Sequence, residues 1–151
     1  MKALEPAWQL VSDKVMGGVS AGTLSVEDAP QGRAHHMSGR VSLDNNGGFI
    51  QMAADIAPPP PGTKGLMLDV SGNGEQYNVH LRTSDLDRPW QSYRASFIAP
   101  DDRQEIRFAL ADFEPHRTDE PFNPAKLRRI GIVAIGREFD ADVWLYSIAW
   151  Y

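Results

Sequence analysis

Period-two alternation runs through most of this chain and leaves little room for a helix. In GLMLDV, Leu66, Leu68 and Val70 fall on one face; in QYNVHLRT, Tyr77, Val79 and Leu81 face one way and Asn78, His80 and Arg82 the other. The same reading predicts strands near Trp8–Val11, Gly22–Val26, Ala34–Leu43, Gly48–Ile56, Trp90–Ile98, Gln104–Ala109, Ile130–Ile135 and Val143–Ala149. Many short strands punctuated by Gly, Pro and Asp imply an all-β fold, a sandwich or jelly roll. SGNG reads as a hairpin turn between the strands on either side of it. RIGIVAIG is apolar on both faces and belongs in the middle of a sheet. The Pro58–Pro61 run reads as an exposed, stiff connector, and the irregular stretch Asp112–Pro124 leads into one helical turn at Pro124–Arg128. At 151 residues without an internal repeat, the expectation is a single β-sandwich domain spanning 1–151, large enough to bury its own core.

Composition removes several chemistries. With no Cys there is no thiol nucleophile, thiolate metal site or disulfide. MKALEPAWQLVSDKV carries neither an apolar signal core nor an Arg-rich amphipathic leader, and no window approaches the roughly 20 apolar residues of a membrane span. The expectation is a cytoplasmic chain without membrane insertion. A formal net charge of -5 disfavours nucleic acid as a partner while leaving room for a small basic patch.

The candidate catalytic and metal groups are weak. Adjacent His35 and His36 point to opposite faces of a strand and cannot chelate one ion. GNGEQY imitates part of a dinucleotide fingerprint but precedes a strand, where that chemistry needs a helix N-terminus. His80 with Asp69 would make a base and its orienting carboxylate, yet nothing nominates a nucleophile, and neither G-x-S-x-G nor H-E-x-x-H occurs. The expectation is therefore no catalytic residue, no cofactor and no enzyme. Asp13, Asp140 and Asp142 offer hard oxygen ligands for a calcium ion, though no loop motif organises them.

A polar sheet face is the better candidate. In WQSYRASF, alternation sends Trp90, Ser92, Arg94 and Ser96 to one side; if this strand pairs with QYNVHLRT, those residues join Asn78, His80 and Arg82. Asp69 and Gln51 extend the same expected face. Planar donors with an aromatic at the edge suit a polyol or a polar protein partner, against the plainer reading of a solvated sheet surface. Two Gly-Gly loops, DKVMGGVS and SLDNNGGF, read first as turns, the second a tight hairpin, with Asp13 and Ser20 capping backbone amides. Their functional reading makes Asp13, Ser20, Asn45 and Asn46 part of a binding rim beside Arg82.

Several blocks in order give a family resemblance: W-x-x-V-x-D-x-V-M-G-G-V-S from Trp8 to Ser20, VSLDNNGGF, GLMLDVSGNGEQYNVHLRT, YRASF, IRFALADFEPHR and LRRIGIVAIG. The chain resembles the complex I intermediate-associated protein 30 family from about Trp8 to Ile148. The resemblance implies a galactose-binding-domain-like jelly-roll β-sandwich, related to carbohydrate-binding modules. It also implies a non-enzymatic assembly or chaperone-like role toward subunits of respiratory NADH:ubiquinone oxidoreductase. The mitochondrial members carry a transit peptide that this sequence does not show, so a bacterial, cytoplasmic relative is the expectation. The alternative is a carbohydrate-binding module that grips a glycan with Trp90, Arg82, His80 and Arg94.

Overall fold

A computed structural model describes residues 1–151, the side chain of Asn46 excepted. Its strands are β1 (Lys2–Leu4), β2 (Gln9–Ser12), β3 (Ala21–Ala29), β4 (Gly32–Val41), β5 (Phe49–Asp55), β6 (Gly65–Gly72), β7 (Gln76–Thr83), β8 (Ser92–Ile98), β9 (Gln104–Ala109), β10 (Glu114–His116), β11 (Leu127–Ile135) and β12 (Phe139–Trp150). They form two antiparallel sheets of six strands. Sheet A runs β3-β4-β12-β6-β9, with β1 also on β12, and sheet B runs β10-β8-β7-β11-β5-β2. The fold is an all-β jelly-roll sandwich of the galactose-binding type. Among the described residues no helix is long and apolar enough to cross a membrane.

Alternation decides what goes inside. Tyr77, Val79 and Leu81 of β7 meet Ile130 and Ile132 of β11 and Met52 of β5 in one buried layer, closed from the other sheet by Leu66, Leu68, Val70, Val143 and Leu145. β11 lies between β7 and β5, as its apolar run predicts. β12 is the long member of sheet A. It pairs with β6 along one edge, and along the other with β4 through Phe139–Leu145 and β1 through Ile148–Trp150.

The order in which strands are joined departs from the sequence reading at the two expected hairpins. β6 belongs to sheet A and β7 to sheet B, so SGNG crosses between sheets and is not a hairpin. SLDNNGGF likewise carries the chain from β4 to β5 across the sandwich through a single 3-10 turn at Asp44–Asn46, and DKVMGGVS crosses from β2 to β3. Alternation reports which face a residue takes, and it is silent about which sheet receives the next strand. Lys2–Leu4 and Glu114–His116 are strands that the pattern did not mark. Pro115 sits in β10, an edge strand, where its missing N–H leaves no ladder bond unmade. The helical turn is a short 3-10 segment, Pro124–Lys126, capped by Asn123 Oδ1 accepting from the Ala125 amide at 3.1 Å.

Candidate functional site

The outer face of sheet B is set by strand register. His80 of β7 lies opposite Arg94 of β8 on one side and Gly131 of β11 on the other; Asn78 lies between Ser96 and Val133. The row through His80 continues to Ala53 and Gln9 in one direction and to Glu114 of β10 in the other. Gln51 reaches across Gly131, whose missing Cβ leaves room for the amide. A cleft of about 690 Å³ flanks this face at its β8 margin, lined by Asn78, Arg94 and Ser96 and, from the opposite sheet, by Ile106, Arg107 and Phe108.

Two arginines on this face are half-buried. Arg94 donates through Nε to Ser92 Oγ at 2.8 Å. Arg82 donates to the carbonyls of Gln91 at 3.2 Å and Arg88 at 2.9 Å, and so holds the loop between β7 and β8 against its own strand. Burial, then the neighbouring Arg117, pushes the Arg94 guanidinium below its ordinary value; burial with Arg128 and Arg129 does the same to Arg82. Burial, reinforced by Arg94 and His116, pushes His80 down to about 3, so its ring is neutral near pH 7. His80 Nε2 is buried without a hydrogen-bond partner. His116, on β10, is lowered by burial and by Arg94 and Arg117.

The two Gly-Gly loops meet at a second polar centre. Asp13 is fully buried, and its carboxylate accepts from Ser20 N at 3.0 Å, Ser20 Oγ at 2.5 Å, Gly48 N at 2.6 Å and Phe49 N at 3.3 Å. Ser20 Oγ in turn accepts from the Ser42 amide at 2.8 Å. Burial works against the charge, but these donors outweigh it and hold the carboxyl below its usual range. A Cβ on Gly18 would stand 2.5 Å from Asp13 Cγ, and one on Gly47 would collide with the carboxylate itself. One glycine of each pair therefore exists to admit this side chain.

The sequence model of the complex I intermediate-associated protein 30 family matches residues 2–144. The chain belongs to this family. A comparison with curated proteins finds no match. Among solved structures, a family 11 carbohydrate-binding module from Clostridium thermocellum in complex with a β-1,3-1,4-mixed-linked tetrasaccharide superposes with a TM-score of 0.79 at 10% identity, covering 97% of this chain and 92% of that one. A family 30 carbohydrate-binding module of a cellulosomal cellulase from Clostridium thermocellum gives a TM-score of 0.67 at 13% identity, covering 99% and 94%. At these identities the likeness is one of fold.

In this member of the complex I intermediate-associated protein 30 family, the structure gathers Asn78, His80, Arg82, Ser92, Arg94 and Gln51 on sheet B and separates other expected residues from them. Asp69 is on β6 in sheet A, where Arg103 holds it through Nε at 3.0 Å and Nη2 at 2.7 Å; it cannot orient His80, because the SGNG turn changes sheets. Trp90 precedes β8 and stands exposed in the loop, with Arg88 over its ring at 5.9 Å. Asp13 and Ser20 have no exposed surface, so they are a buried anchor and not a rim. Asn45 is exposed with φ of 56°, a left-handed turn conformation; the Asn46 side chain lies outside the described residues. Asp13, Asp140 and Asp142 do not come together, and no group of three metal-ligating side chains occurs among the described residues.

Alternation does not reveal His116 and Arg117 as members of the sheet B face, because Pro115 masks the strand that leads to them. The outer face of sheet A holds another arrangement that single-strand reading cannot show. His36 stacks on Trp144 with centroids 3.7 Å apart, while Nδ1 meets Glu27 Oε2 at 2.8 Å and Nε2 meets Asp142 Oδ1 at 2.6 Å. The sequence reading of His35 and His36 as pointing apart holds: His36 shares the outer face with Trp144, whereas His35 lies opposite Leu145 on the inner one.

Proposed function

We propose that this chain is a non-catalytic protein-binding domain of the assembly-factor kind, and that it engages its partner through the outer face of sheet B. Family membership supports an assembly role, and respiratory NADH:ubiquinone oxidoreductase subunits are the partners that this role implies. One observation carries the choice of face: half-buried Arg82 and Arg94 flank a neutral, half-buried His80 on two rigidly paired strands, with donors left over after internal hydrogen bonding. A rigid sheet presenting pre-placed planar donors loses little entropy on docking.

The test is affinity capture with tagged protein from detergent-solubilised membranes of its own cells, read by mass spectrometry. Arg94→Ala is the more informative variant, because Arg82 also shapes the β7–β8 loop and its loss would confound binding with local unfolding. Enrichment of oxidoreductase subunits that Arg94→Ala abolishes supports the reading. Enrichment unchanged by the variant removes this face from it.

The second reading, glycan binding, is favoured by the tetrasaccharide complex of the structurally similar family 11 module and by the cleft beside β8. A screen of neutral oligosaccharides against the same two proteins decides between them.

A further inference from the structure

We infer that the outer face of sheet B recognises carboxylates, and that its occupant is an acidic segment of a partner protein. This rests on the protein-binding reading and specifies its chemistry.

The first observation is how the positive charges are divided. The chain is acidic overall, at -5. Yet Arg82, Arg88, Arg94, Arg117 and Arg128 have no carboxylate oxygen within 4 Å among the described residues, and all belong to β7, β8, β11 or the segments joined to them in sheet B. On sheet A, by contrast, Arg33 is paired with Asp28, Arg40 with Asp140, Arg103 with Asp69 and Arg107 with Glu105. The arginines of sheet A are paired within the chain, and these five on the sheet B side are not.

The second observation is the state of Arg94. Of its five N–H donors, only Nε finds a protein acceptor among the described residues, Ser92 Oγ. Glu114, its cross-strand neighbour on β10, makes no ion pair with it among the described residues. Asp55 is paired with Arg129 and Asp85 with Lys126, while Asp112, which lines the same cleft, accepts from the Ala109 amide at 3.1 Å and lies more than 4 Å from the Arg94 guanidinium. A half-buried guanidinium has lost part of its hydration without gaining a counter-ion, and a bidentate carboxylate is the group that fits its free Nη fork. His80, opposite on the neighbouring strand, is neutral and so supplies Arg94 with no counter-charge.

The third observation selects the class of anion. The rows through His80 and Asn78 carry Gln9, Ala53, Gly131, Gln51, Val133 and Ser96, with no aromatic ring among them. Sugar and base recognition draw on stacking platforms; the exposed ring on this side, Trp90, stands in the β7–β8 loop with Arg88 over it, and the strand rows themselves offer guanidinium groups instead. The net negative charge of the whole chain opposes the long-range attraction that nucleic acid binding uses. Short acidic side chains reaching individual arginines need neither.

The experiment is fluorescence anisotropy of a labelled oligoglutamate peptide, with oligoglutamine as the neutral control, against wild type, Arg94→Gln, Arg117→Gln and Arg33→Gln. Arg117 is exposed, so its variant keeps the test valid if Arg94→Gln destabilises the fold, which a thermal melt would reveal. The expected result is binding of oligoglutamate alone, weakened about tenfold in Arg94→Gln, weakened several-fold in Arg117→Gln, unchanged in Arg33→Gln and reduced by added salt. Equal affinity for the two peptides, or no response to either sheet B variant, overturns the inference. Tighter binding of an oligogalacturonate or an RNA oligomer than of oligoglutamate also overturns it, as does occupation of the face by a second copy of this chain. If affinity capture still enriches partners through this face while oligoglutamate fails to bind, the protein-binding reading stands and the acidic partner does not.

Discussion

A buried carboxylate persists only where donors replace the water it has lost, and Asp13 receives four such hydrogen bonds from two loops far apart in sequence. Asp13→Ala strands the amides of Ser20, Gly48 and Phe49 and should cost about 3 kcal/mol, read by urea denaturation. Gly18→Ala and Gly47→Ala should each destabilise more than Gly17→Ala, because the first two drive a methyl into the carboxylate while Gly17, at φ of 84°, meets only a backbone penalty of about 1 kcal/mol. Equal losses at all three would contradict the cradle. His80 carries a pH signature. Its folded value of about 3 lies below the ordinary 6.5, so its contribution is complete above about pH 6.5 and is lost as pH falls from there toward 3. His35 and His116 are lowered too and add to the slope. The share of His80 is therefore read as the flattening, roughly 1 kcal/mol per pH unit, when His80→Gln is compared with wild type between pH 6 and 4.

At the scale of the strand, most elements were legible. β9 matches the predicted Gln104–Ala109, and β5 begins and ends within a residue of its expected bounds. β8 begins at Ser92 and not at Trp90, since the two arginine-to-carbonyl bonds from Arg82 fold residues 88 to 91 back on β7 before the ladder starts. That contact is tertiary and leaves no trace in alternation. Arg82→Ala should raise amide exchange through the β7–β8 loop, whereas Arg94→Ala leaves the loop protected; the same exchange in both variants would assign the loop's order to something else. β10 went unmarked because a three-residue strand containing Pro has no readable period.

Across the whole molecule, the two sheets are joined by more than apolar packing. Tyr77 of sheet B reaches β12 of sheet A, where its hydroxyl accepts the Asp142 amide at 2.8 Å and donates to Asn73 Oδ1 at 2.7 Å. β6 pairing ends at Val143, so this amide has no strand neighbour on that side and the phenol takes its place. Tyr77→Phe should lose about 1–2 kcal/mol without changing the secondary structure, measured by denaturation alongside far-ultraviolet circular dichroism. Burial, chiefly, pushes the same phenol up to about 12, so spectrophotometric titration should find it among the last tyrosines to ionise. An early, complete titration would place it in solvent and remove the tie.

What the sequence determined by itself was local: an all-β chain, the residues that face inward on each strand, the family, and the polar series Asn78, His80 and Arg82 with Ser92 and Arg94. Side-chain direction in a strand depends only on the parity of position, so one sequence suffices to read it. Only the tertiary structure decided which strands share a sheet. It sent Asp69 to the far side of the sandwich from His80, brought His36 to Asp142, and closed the two Gly-Gly loops around Asp13. These outcomes depend on how crossing turns pair distant segments, and pairing is selected by the energy of the whole packed core and not by any one stretch of chain.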